Sequence, residues 1–295
     1  MRSTLWTRLL AAALLICALL APTPCGAQAQ QDAAHHYLLL GLDTYADDIT
    51  DTARTDTMML VTLDETYERI ILTSILRDTK VPNPSGNDTK INLLYKHYGI
   101  EGVTQVLERE LEIEISGTVL INYESVKELI DALGGVDIEI TQNEANTISS
   151  ILLNDDPNLP EGAGLAHMTG RIALAYMRNR WDTLDGSSGG DFSRTERQRK
   201  VLTQLLDKCR NLSLSELSNV YNAISDGVET DMTALELLTA IQHGYSLLQA
   251  PLCEYRIPAD GTYRYGELNG SSVLSANWTR NKEYFHEMLD TPPEA

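Results

Sequence analysis

The sequence predicts an α/β layered domain, and two observations carry that reading. Short, continuous apolar runs bounded by turn-forming residues recur at 37–42, 54–63, 69–76 and 118–123, as expected of strands buried on both faces. Amphipathic segments of helical period lie among them, so strands and helices alternate through the first 140 residues.

In chain order, 37–42 (YLLLGL) is the first strand and ends at Asp43. The segment 44–53 holds Asp47, Asp48 and Asp51 and reads as a solvated loop. The strands 54–63 and 69–76 follow, each with an arginine and an aspartate at one end: Arg54 and Asp56, then Arg77 and Asp78. In an extended chain, residues two apart share a face, which would project Arg54 and Asp56 together. A loop is predicted at 82–88 and helical patterns at 90–95 and 102–111. A strand at 118–123 precedes a helix at 125–133, stopped by Gly134-Gly135, and 136–140 alternates as a half-buried strand. Residues 141–164 look polar and irregular, 169–177 helical, and 182–190 form a Gly/Ser-rich loop. Helices are expected at 193–210, 215–224, 233–248 and 277–289, with a strand at 254–257.

The chain is acidic, with a formal net charge of −19, which argues against general nucleic-acid binding because that rests on neutralising phosphates. Arg2 and Arg8, the apolar run 9–21 and Ala27-Gln28-Ala29 read as a secretory signal peptide over 1–29, with an uncleaved membrane anchor as the alternative. Either places the body of the chain outside the cytoplasm. For Cys209 and Cys253, a single disulfide and two buried thiols are both open readings. The six histidines show no metal-ligand spacing, and neither a nucleophile elbow nor a P-loop is present.

The sharpest internal signal lies in the helix 193–210, whose core-facing stripe runs Arg194, Arg197, Gln198, Val201, Leu202, Leu205. A core stripe is normally apolar throughout. Arginines in a first turn also oppose the helix dipole unless an anion lies there. Arg178 and Arg180, two apart, converge if the chain between them is extended. With Arg54 and Arg77 they form a set of guanidinium forks suited to phosphate oxygens. Asp43 and Asp56 would offer hard oxygen ligands to Mg²⁺.

These residues resemble the LytR-CpsA-Psr family. The resemblance runs, in order, through Gly41-Leu42-Asp43, Arg54-Thr55-Asp56-Thr57-Met58-Met59-Leu60, Ser74-Ile75-Leu76-Arg77-Asp78-Thr79, Lys90-Ile91-Asn92, Leu133-Gly134-Gly135-Val136, Tyr176-Met177-Arg178-Asn179-Arg180 and Asp191-Phe192-Ser193-Arg194-Thr195-Glu196-Arg197-Gln198. It implies an α/β/α sandwich, a central mixed β-sheet flanked by helices, with a catalytic core over 36–210 and residues 211–295 completing the same domain. It also implies a phosphotransferase that ligates a polyprenyl-pyrophosphate-linked anionic glycopolymer, such as a teichoic acid or capsule, to peptidoglycan at the membrane surface. A polyprenyl-pyrophosphate phosphatase or a lipid-binding module is the alternative.

Carried over by position, Asp43 and Asp56 would hold Mg²⁺. Arg54, Arg77, Arg178, Arg180 and Arg194 would grip the pyrophosphate, with Lys90, Arg197 and Gln198 at the polar rim. Asp56 or Asp191 would orient or deprotonate the acceptor hydroxyl. The chain departs from the family pattern at Tyr45, Leu76 and Ser193.

Overall fold

The computed structural model describes residues 34–44, 54–180, 190–212, 216, 219–220, 223–224 and 227–293. Tyr45 and most of the predicted loops at 44–53 and 182–190 lie outside these residues, as does the leader at 1–29. Of the predicted helix 215–224, residues 216, 219–220 and 223–224 are described, and all are helical.

A six-stranded mixed sheet organises the molecule. At its centre β1 (Ala34–Leu42) pairs antiparallel with β2 (Thr55–Asp64) and parallel with β6 (Ile115–Ile121). Beyond β2 lies β3 (Arg69–Ile75), then β10 (Leu252–Ile257); beyond β6 lies the short β9 (Val228–Thr230). The C-terminal third therefore supplies both edge strands of this sheet.

Side-chain alternation divides the core in two. Leu38, Leu40 and Leu42 of β1, with Met58 and Leu60 of β2, pack towards α1 (Leu94–Leu111) and α7 (Trp278–Asp290). Tyr37, Met59, Leu63 and Leu72 face the opposite layer. That layer holds α2 (Tyr123–Ala132), α3 (Gln142–Ile151), α4 (Gly170–Arg178), α5 (Asp191–Cys209) and α6 (Ala234–Ser246). The result is the expected α/β/α sandwich, with β1 and β2 apolar on both faces because both faces are covered.

The polar segment 141–164 is not irregular, as its composition suggested. It contains α3, whose start is fixed by a capping box: Thr141 accepts from the Glu144 backbone N–H, and the Glu144 carboxylate accepts from the Thr141 N–H. It then contributes β8 (Gly164–Met168), which pairs with β7 (Val136–Ile140). Residue 90 closes a strand rather than opening a helix. Here β4 (Thr79–Pro82) pairs with β5 (Asp88–Lys90), and β4 joins the hairpin of β11 (Tyr263–Leu268) and β12 (Ser271–Ala276) in a second sheet. Of the helical pattern 90–95, residues 91–93 form a 3₁₀ turn and 94–95 open the same helix that holds 102–111, kinked where Gly99 takes a left-handed φ of 64°. Cys209 is buried beneath the main sheet and Cys253 is half-exposed on β10; both are thiols.

Candidate active site

One irregularity in the central strands sets the geometry of the site. Along β1, Gly41 pairs with Thr57 but Leu42 pairs with Thr55, so Asp56 is the extra residue of a bulge in β2. A bulge re-aims the side chain it carries. Asp56 is thereby buried at the top of the α5 side of the sheet, beside a cavity of about 340 Å³. Its floor comprises Leu39, Gly41, Thr57 and Met59, and its helical walls include Leu129, Leu174, Val201 and Leu205. Asp43, Asp56, Arg178, Arg180, Arg194 and Gln198 supply the charged and amide groups in that lining. A second apolar cavity of about 110 Å³ lies further along the same sheet face, and Leu39 and Leu202 line both.

Three arginines converge on Asp56. Arg77 donates to both carboxylate oxygens at 2.7 and 2.8 Å, and Arg180 to one at 3.0 Å. Arg194, 2% exposed, donates to the Asp56 backbone carbonyl at 2.9 Å and lies 3.5 Å from its carboxylate. Burial alone would raise this carboxyl, but the positive charges of Arg77, Arg194 and Arg180 outweigh it and hold the pKa below the usual carboxylate value.

Asp191, in the first turn of α5, behaves oppositely. It ion-pairs with Arg194 and lies 3.3 Å from Arg77 Nε, yet neither carboxylate oxygen has a hydrogen-bond partner among the described residues. Burial, helped by nearby Asp78, raises its pKa against the pull of Arg194 and Arg77. Gly190 makes this helix start possible: its φ of 99° is closed to most side chains, and its N–H donates to the Arg180 carbonyl at 3.0 Å.

The α4 terminus explains the convergence of Arg178 and Arg180. The helix ends at Arg178 and Asn179 is extended (ψ 127°), so the two arginines flanking it both reach the cavity. Arg178 also lies over the Tyr123 ring, 4.7 Å from its centroid. Tyr123 did not stand out in the sequence. Burial, then the charges of Asp43 and Asp56 and a hydrogen bond to Asp43, push its hydroxyl pKa well up, so it stays protonated as a donor at the mouth.

Three predicted residues stand elsewhere. Arg197 is not a rim residue: it is fully buried, donating from Nε to Glu144 at 2.8 Å and from Nη1 to the Asn179 carbonyl at 2.9 Å. It fixes the peptide between Arg178 and Arg180 and so acts on the site through them. Arg54 is exposed, precedes β2 and is absent from the cavity lining; its backbone carbonyl accepts from the Asp43 N–H. The strand alternation that would have paired it with Asp56 is broken by the bulge. Lys90 lies in an outer ring, bonded at 2.8 Å to Asp78, which in turn lies 3.7 Å from Arg77.

The lining holds two carboxylates of the kind a hard divalent cation takes. Asp43 is exposed at the mouth; Asp56 is kept ionised but accepts from Arg77 and Arg180, so a cation there would share its oxygens with guanidinium groups, and Mg²⁺ needs only one or two carboxylates when phosphates supply further oxygens. The histidines, scattered in sequence, are not all scattered in space. Nitrogens of His35 and His243 and a Glu65 oxygen lie within 4.8 Å of one another, with Glu65 in the β2–β3 turn and His35 near the start of β1. That group is at the far end of β1 from Asp43.

Comparison with known proteins agrees with this architecture. The chain is 29% identical over 213 residues to the polyisoprenyl-teichoic acid–peptidoglycan teichoic acid transferase TagV of Bacillus subtilis (strain 168), covering 71% of this chain and 52% of that protein. It is 31% identical over 198 residues to the corresponding transferase TagU of Enterococcus faecalis, covering 66% of this chain and 61% of that one. The matches thus span between half and two thirds of these relatives' length. Among solved structures, one described as TagT bound to LI-WTA superposes with a TM-score of 0.70 at 19% identity, over 90% of this chain and 93% of that one. Another, the LytR-CPS2A-psr family protein YwtF (TagT) with bound octaprenyl pyrophosphate lipid, gives 0.66 at 19% identity, over 91% and 95%. The model of the LytR_cpsA_psr family matches residues 22–289, so this chain, with its sandwich fold and its arginine-ringed cavity, belongs to that family.

Proposed function

We propose that this protein is an extracytoplasmic phosphotransferase that moves a glycopolymer from a polyprenyl-pyrophosphate carrier to peptidoglycan, forming a phosphodiester. The observation that carries this reading is a deep apolar cavity whose mouth is ringed by arginines and carboxylates. Polyprenyl pyrophosphate has that polarity, a long hydrocarbon ending in charge. The teichoic acid transferases it resembles and the lipid-bound structure of similar fold support the same chemistry.

The acceptor hydroxyl attacks the sugar-proximal phosphorus; a new P–O bond forms, the pyrophosphate bridge breaks and polyprenyl phosphate leaves. Arg77, Arg178, Arg180 and Arg194 stabilise the charge spread over the phosphoryl oxygens. Asp191 takes the hydroxyl proton: burial raises its pKa, and its ion pairs with Arg194 and Arg77 leave its oxygens without an aligned hydrogen bond among the described residues, whereas Asp56 accepts hydrogen bonds from Arg77 and Arg180. Asp43 and Asp56 are the residues that would hold Mg²⁺, which when bound would neutralise phosphate charge. Tyr123 and Gln198 complete the polar mouth, and the apolar walls exclude water from the lipid-bearing side.

The test is transfer from a synthetic lipid-linked donor to glycan chains, scored against free phosphate release. Arg77→Ala and Arg178→Ala should each lower transfer by about 10²-fold. Normal transfer by both variants would remove the basis of this reading, and phosphate release exceeding transfer in the unaltered protein would make it a phosphatase.

Two further results are expected. Leu202→Trp, at the junction of the two cavities, should weaken binding of long polyprenyl pyrophosphates while sparing short-chain ones, measured as affinity against chain length. The transfer rate should rise with pH through a pKa above the ordinary carboxylate range, and Asp191→Asn should abolish that limb together with most of the rate. Stability follows the opposite sign for this group. With its folded pKa raised, Asp191 contributes stability that is present at low pH and lost as pH rises through that pKa. Asp56, with its folded pKa lowered, contributes stability that is present above the ordinary carboxylate pKa and lost as pH falls through the lowered one.

A further inference from the structure

Next to Asp191, and outside the cavity lining, stands an aromatic ledge that the transfer chemistry above leaves unused. Phe192 follows Asp191 in the first turn of α5, and its ring lies 5.5 Å from that of Tyr263, centroid to centroid. Tyr263 meets Tyr265 edge-on at 5.9 Å. The two tyrosines are two apart on β11 and so share a face. Arg256 covers the Phe192 ring at 4.6 Å. Tyr265 is 64% exposed, a large ring held in water by a hairpin rather than buried in a core.

The ledge is built into the frame of the site. Strand β12, the partner of β11, pairs with β4 through Leu274 and Thr79, and the Leu274 N–H donates to the Asp78 carbonyl at 3.0 Å. Asp78 follows Arg77 in the chain, and Arg77 bridges Asp56 and Asp191. None of Phe192, Tyr263, Tyr265 or Arg256 lines the apolar cavity.

We propose that Phe192, Tyr263 and Tyr265 form the subsite that seats the sugar rings of the acceptor glycan. The proposal rests on the phosphotransferase reading of the neighbouring site. In phosphoryl transfer the attacking and leaving oxygens lie roughly in line across the phosphorus. With the lipid phosphate leaving towards the cavity, the acceptor hydroxyl arrives from outside it, and Asp191 and the ledge both lie outside the cavity lining. A pyranose offers an apolar C–H face and a rim of hydroxyls. Phe and Tyr rings match that pattern, giving a flat apolar surface with phenol groups at its margin.

The experiment measures binding of a soluble peptidoglycan tetrasaccharide and, separately, of geranylgeranyl pyrophosphate to the full chain and its Tyr265→Ala and Tyr265→Phe variants. Because Tyr265 is largely exposed, neither substitution disturbs a core. Tyr265→Ala should weaken tetrasaccharide binding about five- to ten-fold, Tyr265→Phe should keep most of it, and the lipid pyrophosphate should bind all three alike. In transfer assays the alanine variant should raise the acceptor KM by a similar factor. Unchanged tetrasaccharide affinity in Tyr265→Ala overturns the proposal, as does an equal loss for the lipid pyrophosphate, which would assign the ledge to the donor. Should the protein bind the tetrasaccharide through Tyr265 yet transfer nothing to it, the phosphotransferase reading fails and the glycan subsite stands.

Discussion

Arg194→Ala should lower kcat/KM for transfer by about 10²–10³-fold, the largest catalytic effect expected of a single substitution here. Arg194 is almost wholly buried and lies between the two carboxylates, contacting Asp191 and both the backbone and side chain of Asp56. Its loss removes a phosphate-facing guanidinium and also changes the protonation of its neighbours. Asp56 keeps Arg77 and Arg180 as direct partners, whereas Asp191 keeps Arg77 at 3.3 Å and the charge of Arg180. The Asp191 pKa should therefore rise further, moving the ascending limb of the pH–rate profile to higher pH. Arg194→Lys restores the charge without the fork and should recover only part of the rate. A loss of rate with an unmoved pH profile would mean that Arg194 and Asp191 are not coupled.

The largest effect on stability should come from Arg197→Ala. This guanidinium is fully buried and its partner Glu144 is 1% exposed, so truncation leaves a carboxylate without its counter-ion and the Asn179 carbonyl without its donor. Breaking such a pair typically costs about 3–5 kcal/mol, which for a chain of this size lowers Tm by roughly 10 °C. Transfer should fall as well, because the peptide between Arg178 and Arg180 loses its anchor. Replacing both partners, Arg197→Met with Glu144→Leu, should recover much of the Tm and little of the transfer. Denaturant unfolding of the singles and the double closes the cycle, and additive losses would mean that the pair is not coupled.

The floor of the site was legible because apolar runs report strands covered on both faces, and β1, β2 and β3 fall within a few residues of their expected ends. The helix α5 was legible from its arginine-headed stripe, although that stripe serves two ends: Arg194 and Gln198 reach the cavity, while Arg197 turns to Glu144. No local pattern announces a partner 53 residues away. The bulge at Asp56 was equally hidden, since strand alternation assumes regular pairing, and the same irregularity separates Asp56 from Arg54. Two signals were present and unread. Thr141 and Glu144 have capping-box spacing, which overrides the polar composition around them. Asn269 and Gly270, both at positive φ, form the turn of the hairpin that carries Tyr263 and Tyr265. His35 and His243 met only through tertiary packing.

The cavity beneath Arg194 has a thermodynamic consequence of its own. Leu129, Leu174, Val201 and Leu205 turn apolar surface to it, and no atom of the described residues fills that space. Any hydrocarbon that fills it binds the folded chain and not the unfolded one, and so shifts the folding equilibrium by mass action. At a free concentration one hundred times its Kd, such an occupant adds about 2.7 kcal/mol. The melting temperature of this protein is therefore a ligand gauge: chain length, headgroup charge and detergent carry-over from purification would all register as heat resistance before any turnover is measured.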